Sequence, residues 1–326
     1  MVGPAGSIFR ALCSAVSSSG FGRKLSILIY HRVLPGPNPL RPADVDRQVF
    51  KSQMEVLAKH FNPLPLGEAV VLRDRNQLPP RAVSITFDDG YADNESEALP
   101  ILKSLGLSAT FFVATGFIDG GRMWNDSIIE AVCAADEGIL DFDREDLGTF
   151  EIRHTASRLH SIKRLLSKLK YLPLPERDDK VQHVIESVGK PLPDDLMMTS
   201  DQVKNLHAAG MEVGAHTVNH PILSTLPDED ARQEISGSRA KIENIVGSAV
   251  NTFAYPNGTP GTDYSRRDVD LVRDLGFTTA VSTAWGVARP STDSLQLPRF
   301  TPWDRSKHRF ALRLMQNYGR SEPSVV

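Results

Sequence analysis

The sequence predicts an α/β fold organised on a parallel sheet, and two observations carry that expectation. Over most of the 326 residues, short apolar runs rich in β-formers alternate with runs whose apolar residues recur at helical spacing. This is the pattern of strands joined by helical crossovers. Polar residues also stand directly after one strand-like run after another, and in a sheet closed into a barrel those ends share one rim. Periodicity alone leaves an open sheet and a barrel as alternatives.

The first strand is Leu25-Ser-Ile-Leu-Ile-Tyr30. Phe50, Met54, Leu57 and Ala58 then repeat at helical spacing behind Asp46, a residue type that caps helix N-termini. Ala82-Val-Ser-Ile-Thr-Phe87 is a second strand, entered from the Pro79-Pro80 turn. Asn94 to Leu105 reads as helix in spite of Pro100 and stops at Gly106, and Ala109-Thr-Phe-Phe-Val-Ala114 is the third strand. Alternation then breaks off. From about Trp124 to Gly210 the pattern is helical without a convincing strand, and Ile162, Leu165, Leu166 and Leu169 form one apolar stripe. A helical insertion over about 120–205 is therefore expected.

Strands resume at Met211–Gly214, Asn251–Ala254 and Thr278–Ser282, with helices from Glu229 to Val246 and from Arg267 to Leu275. Leu295 to Phe300 reads as one more strand, placed at an edge or strand end by Pro298. The expected organisation is an N-terminal segment (1–24), a main body (25–305) that carries the insertion, and a C-terminal helix and tail (306–326).

Composition narrows the function classes. Net charge is −3 and basic residues form no block, so a nucleic-acid partner has no electrostatic footprint. The two cysteines, Cys13 and Cys133, make neither a disulfide framework nor a zinc site. At the N-terminus Arg10 interrupts the apolar stretch, which disagrees with a secretory signal. Ile8, Phe9, Leu12 and Val16 suit one face of a short helix, packed on the body or touching a membrane surface. The expectation is a cytoplasmic protein, with peripheral contact to the inner membrane through its N-terminus as the open alternative.

Two polar segments carry the chemistry. Thr86-Phe87-Asp88-Asp89-Gly90-Tyr91 ends the second strand. Adjacent carboxylates there repel each other unless a cation or hydrogen bonds absorb the charge, although Asp-Gly alone is ordinary turn chemistry. His216-Thr-Val-Asn-His220 follows another strand. If a helical turn follows, its two imidazoles project from one face and grip one ion. It is not the zinc-protease signature, since Thr217 stands where that motif needs Glu. Together, two imidazoles and a carboxylate make a triad for a divalent metal, with a second carboxylate left to act on water.

Thr86-Phe87-Asp88-Asp89-Gly90 and His216-x-x-x-His220 resemble the first two motifs of the polysaccharide deacetylases, carbohydrate esterase family 4, over roughly Leu25 to Phe300. The resemblance implies a distorted (β/α) barrel of about seven parallel strands and a hydrolase of non-peptide C–N bonds that removes N-acetyl groups from amino-sugar polymers; within an N-acetylated glycan or lipid-linked sugar as substrate, the disagreement with a secretory signal tilts the expectation towards a precursor. It also implies Asp88 as general base and Asp89, His216 and His220 as ligands of a divalent metal, with zinc expected.

In the third motif, Phe253-Ala-Tyr-Pro-Asn-Gly258, many members carry an arginine that braces the catalytic aspartate, and here Ala254 takes its place. Arg299 in Leu297-Pro-Arg-Phe300 is the expected substitute brace. The Asn257 amide is the expected oxyanion donor, and Tyr255 a substrate contact. Trp124, Tyr91 and Trp285 are further candidates for lining the sugar pocket. His31 in Tyr30-His31-Arg32-Val33 resembles the general acid of a branch with an N-terminal Tyr-His motif. Two other function classes stay open: a glycan-binding relative without chemistry, favoured by Ala254, and a non-haem iron oxygenase, disfavoured by the alternating pattern.

Overall fold

The structure is a computed structural model that describes residues 4–20, 22–320 and 325–326. Residues 1–3 and 21 of the expected N-terminal segment, and 321–324 of the expected tail, lie outside the described residues. Within the described residues the chain folds as two compact units. One comprises Met1–Pro37, Ala43–Ile118 and Met198–Val326, and the other Asn38–Pro42 with Asp119–Met197.

The first unit is a distorted (β/α) barrel. Its seven strands are β1 (Leu25–Tyr30), β2 (Ala82–Phe87), β3 (Thr110–Val113), β4 (Glu212–Ala215), β5 (Thr252–Ala254), β6 (Thr279–Trp285) and β7 (Leu297–Arg299). They pair in parallel in that order. The sheet nearly closes, because the Ile29 amide donates to the Phe300 carbonyl (3.1 Å) and the Phe300 amide to the Ile27 carbonyl (2.7 Å). The strand expected at an edge is thus flanked on both sides. Pro298 is tolerated because the ladder to β1 runs through Phe300, which keeps its N–H.

Period-2 alternation sorts each strand into two faces. Leu25, Ile27, Ala82, Phe112, Ala254, Val281 and Leu297 share one apolar cluster with Leu66, Ala69 and Val70 of the helix Leu66–Asp74. The intervening residues Leu28, Tyr30, Val83, Ile85, Phe87, Phe111 and Phe253 join the larger core between strands and surrounding helices. The first set is the barrel interior. Gly214 is there because Phe112 fills the space: a Cβ would lie 2.5 Å from its ring.

Local signals were obeyed where the backbone needed them. Asp46 accepts the N–H of Gln48 and Val49 and starts the helix Arg47–His60. The helix expected from Asn94 begins instead with a π-turn, Asn94–Ala98, and continues as Leu99–Ser104. Pro100 therefore sits in the first turn of the α-helical segment, directly behind the π-turn, where proline is tolerated.

The N-terminal helix Pro4–Ser17 packs on the barrel unit with Cys13 buried, while Ile8 and Leu12 are exposed. The inward face is Phe9, Cys13 and Val16, not the expected quartet. The C-terminal helix Lys307–Asn317 buries Phe310 and Leu314 in the same core. Among the described residues no helix is long and apolar enough to cross a membrane.

The second unit is not purely helical. Its helices Trp124–Ala134, Thr155–Leu169 and Leu174–Val188 pack against one face of an antiparallel hairpin, Gly138–Phe142 with Gly148–Ile152. Phe142, Phe150 and Ile152 of the hairpin share a separate core with Ile128, Ile162, Leu165 and Val184. The insertion ends at Met197, and the helix Ser200–Ala208 belongs to the barrel unit.

Candidate metal and catalytic site

Asp88 and Asp89 follow the last residue of β2. Neighbouring side chains on an extended strand point to opposite faces, so both carboxylates reach one site only if the backbone breaks. It breaks at Asp89 (φ 76°) and Gly90 (φ 90°). Gly90 admits no side chain, since a Cβ would stand 2.8 Å from Val113 Cγ1. The turn is pinned by the Ala114 amide donating to the Asp89 carbonyl (3.1 Å). The Asp88 amide donates to the Tyr30 carbonyl (2.9 Å), which ties the end of β2 to the end of β1 and to His31.

The segment from His216 to His220 is a loop and not the expected helical turn. His216 faces inward by strand parity. Left-handed Thr217 (φ 63°) and His220 (φ 53°) then fold the chain back so that the second imidazole returns to the first. The two ring centroids are 4.7 Å apart. A β-branched residue at positive φ is strained by about 1–3 kcal/mol. Several bonds hold it: Thr217 Oγ1 donates to the His216 carbonyl (2.5 Å) and accepts the His220 amide (3.1 Å).

Glu234, on the helix Asp228–Val246, accepts the amides of Val218 (2.9 Å) and Asn219 (2.8 Å) and the Asn219 side chain (2.7 Å). Nothing in the sequence marked it, because a glutamate on a helix is unremarkable until its fold partner is known. Glu234→Gln replaces one of these acceptors by a donor. We expect divalent-metal affinity to fall about tenfold, as for other groups that orient ligands. Competition against a chelating dye measures this, and an unchanged affinity would remove Glu234 from the positioning role.

The three ligand atoms of Asp89, His216 and His220 lie within 4.8 Å of one another. Asp89 Oδ1 is 3.4 Å from His216 Nε2 and 3.5 Å from His220 Nε2. Two atoms each about 2.0–2.2 Å from a tetrahedral zinc stand about 3.4 Å apart. His216 Nδ1 lies 2.7 Å from the Ala254 carbonyl, which fixes the ring and directs Nε2 to the cluster. The donor set and its spacing fit a divalent ion.

Asp88 is held differently. Arg299 Nη1 donates to Oδ1 and Nη2 to Oδ2, both at 2.6 Å. The guanidinium is itself fixed by the Ser282 carbonyl (2.8 Å) and Thr86 Oγ1 (3.2 Å), and it is fully buried. Ala254 is interior, and β7, two strands along the sheet, supplies the arginine that β5 lacks.

Burial is the largest influence on both aspartates and opposes ionisation, but neighbouring cations outweigh it. Arg299, then His216 and His31, hold the Asp88 carboxyl below the ordinary range. The His216 hydrogen bond and the charges of His31 and His220 hold Asp89 well below it. Burial lowers His216 too, yet Asp89 and Asp88 raise it on balance, whereas burial pushes His220 down to about 3. At neutral pH His220 is therefore a neutral donor.

His31 is exposed at the end of β1. Asn94 Nδ2 donates to its carbonyl (2.8 Å), while Asp93 accepts from Arg32 Nε (2.7 Å) and the Val33 amide (3.0 Å). The loop bearing His31 is thus anchored by the same segment that supplies Asp88 and Asp89.

After β5, the Tyr255 and Gly258 amides bond to the Val281 and Pro256 carbonyls, while the amide of Asn257 (φ 58°) has no acceptor among the described residues. Tyr255 does not line the site. Parity turns it outward, its ring stacks on Tyr264 at 4.0 Å, and its hydroxyl donates to the Leu295 carbonyl (3.0 Å). Tyr91 is likewise buried, under Arg32, and Trp124 belongs to the second unit beneath Arg177. Burial lifts the thiol of Cys13 to about 12 and that of Cys133 to about 11, which disfavours the thiolate at both.

Four of the eight non-glycine residues with positive φ among the described residues, Asp89, Thr217, His220 and Asn257, lie in these segments. Such strain persists where surrounding structure over-determines it, and functional sites are the usual place.

The sequence profile described as polysaccharide deacetylase matches residues 75–280. YxkH of Bacillus subtilis (strain 168), which carries the same deacetylase name by assignment only, is 22% identical over 267 residues, covering 81% of this chain and 66% of that protein. The poly-β-1,6-N-acetyl-D-glucosamine N-deacetylase of Staphylococcus epidermidis is 30% identical over 115 residues. That alignment covers 31% of this chain and 40% of the relative, so this chain spans only part of the length of both relatives. The deacetylase PplD of Streptococcus pyogenes, solved with acetate, superposes with a TM-score of 0.61 at 20% identity, over 90% of this chain and 99% of that one. At that identity it shows the shared fold.

Proposed function

Because this chain belongs to the polysaccharide deacetylase family, we propose that it hydrolyses N-acetyl groups from an amino-sugar polymer or its lipid-linked precursor with the help of a divalent metal. One observation carries the reading: an Asp89–His216–His220 cluster with ligand spacing lies beside an ionised Asp88 clamped by Arg299. The polymer named for the Staphylococcus epidermidis relative, poly-β-1,6-N-acetyl-D-glucosamine, is the first substrate to test.

Asp89, His216 and His220 would hold the ion, and their two nitrogens and one oxygen suit zinc. When bound, such an ion supplies Lewis-acid chemistry, acidifying water and polarising a carbonyl. Asp88 takes the proton of the attacking water. Arg299 keeps that carboxylate charged and oriented while leaving each oxygen a free lone pair. The Asn257 amide N–H donates to the carbonyl oxygen as it gains charge. His31, in the role of the N-terminal Tyr-His acid, returns a proton to the departing sugar nitrogen. Acetate and a free amine leave.

The glycan-binding alternative drew its support from Ala254, and the Arg299 clamp supplies what that position lacks. The oxygenase alternative keeps no support from a parallel barrel of this family. The test is acetate release from N-acetylglucosamine oligomers. Chelation is expected to abolish it and added Zn²⁺ to restore it, and release that is indifferent to chelator would overturn the metal-dependent mechanism.

A further inference from the structure

Two tryptophans on the barrel rim remain outside this chemistry. Trp285 ends β6 and Trp303 follows β7; their rings meet edge to face at 5.0 Å and 79°. They are 37% and 47% exposed. Indoles are large apolar groups, and leaving two side by side in water forgoes hydrophobic stabilisation that a ligand would recover.

Both rings are held in place. Arg320 lies over Trp285 at 4.0 Å, and Arg313 over Trp303 at 5.5 Å. Arg313 is itself paired with Asp304 at 2.6 Å. Such contacts fix ring orientation, and both rings still keep solvent-exposed surface.

The position of Trp303 relates the pair to the reaction. With His31, Arg32, Asp44 and Thr301 it lines a cavity of about 40 Å³. That space holds a group little larger than a water molecule, so no sugar ring enters it. A sugar next to the one that reacts at His31 can instead lie against the exposed surface of Trp303. A β-linked pyranose suits that surface: its axial C–H groups make one apolar face, and its hydroxyls project from the rim towards solvent and guanidinium groups.

We propose that Trp303, braced by Trp285 and Arg313, is a stacking platform for a neighbouring sugar of the substrate chain, so that the protein recognises an oligomer and not a single N-acetylated sugar. The inference rests on the deacetylase reading given above. Trp303 is thereby a specificity-determining residue.

The test is a fluorescence titration of the full chain with N-acetylglucosamine and its β-1,4- and β-1,6-linked dimers to pentamers. In the wild type, affinity is expected to rise at least about tenfold from monomer to trimer, the scale of one aromatic anchor. Trp303→Ala flattens this dependence on length, and Trp303→Phe restores most of it. A length dependence that survives in Trp303→Ala overturns the platform, as does a wild type that binds no oligomer. Acetate release from the same oligomers separates the two proposals. Release without a Trp303-dependent affinity gain sinks the platform alone, and a Trp303-dependent gain without release sinks the deacetylase reading alone.

Discussion

Asp88→Asn is expected to cut acetate release by about 10²–10⁴-fold while leaving divalent-metal content unchanged. The amide has the volume of the carboxylate and keeps one carbonyl oxygen for Arg299 Nη1, and the guanidinium retains Ser282 and Thr86. What it lacks is a lone pair able to take the proton of the attacking water. Asp89→Asn should behave differently, losing metal and activity together, because its Oδ1 stands at ligand spacing from both imidazoles. Metal analysis beside initial rates therefore distinguishes base from ligand. If Asp88→Asn retained wild-type rates, or if both variants lost metal alike, the division of labour between the adjacent carboxylates would be wrong.

That division was legible in the order of residues, but its geometry was not. Strands could be read from Leu25–Tyr30 and Ala82–Phe87 because each is a six-residue run of β-formers, too short for a helix and apolar enough for the burial it has at every position. The rim followed, since a parallel sheet puts the residues after each strand at one end. Positive φ at Asp89, Thr217 and His220 is invisible in the sequence, because none is glycine and the bonds that hold them form only in the folded loops. The imidazoles therefore converge by a strained loop where helical spacing was the simpler expectation.

Two other differences have similarly local causes. Motif position alone puts Tyr255 at the substrate, but strand parity sends Phe253 and Tyr255 outward and Ala254 inward. The hairpin Gly138–Ile152 leaves little trace in the sequence because its first strand is mostly exposed, with Ile139 69% accessible, and so shows little apolar alternation. Its inward residues Phe142, Phe150 and Ile152 reveal their partners only in the folded core of the second unit. In contrast, a buried Asp88 demands a counter-charge whatever the backbone angles, and Arg299 stands opposite it.

Arg299→Met is expected to destabilise the protein by about 3–5 kcal/mol at neutral pH, because it leaves a buried carboxylate without its counter-charge. Asp88 and Arg299 are both almost wholly inaccessible, so solvent offers no replacement. The pH dependence follows from the sign of the shift. In the wild type the folded-state pKa of Asp88 is depressed, since Arg299 and the histidines outweigh burial. Its contribution is present above the unfolded value of about 3.9 and is lost as pH falls through the folded value. In the variant the largest of those opposing charges is gone and burial raises the carboxyl. Mild acid then neutralises it and removes the penalty. The stability gap should be widest near pH 7.5 and narrow towards pH 5, as read by urea unfolding of both proteins. The double variant Asp88→Leu/Arg299→Met should recover most of the lost stability and none of the activity, because replacing both partners of a buried pair by apolar groups is often close to neutral. A single variant as stable as wild type at pH 7.5 would show that the clamp does not hold Asp88 in its charged form.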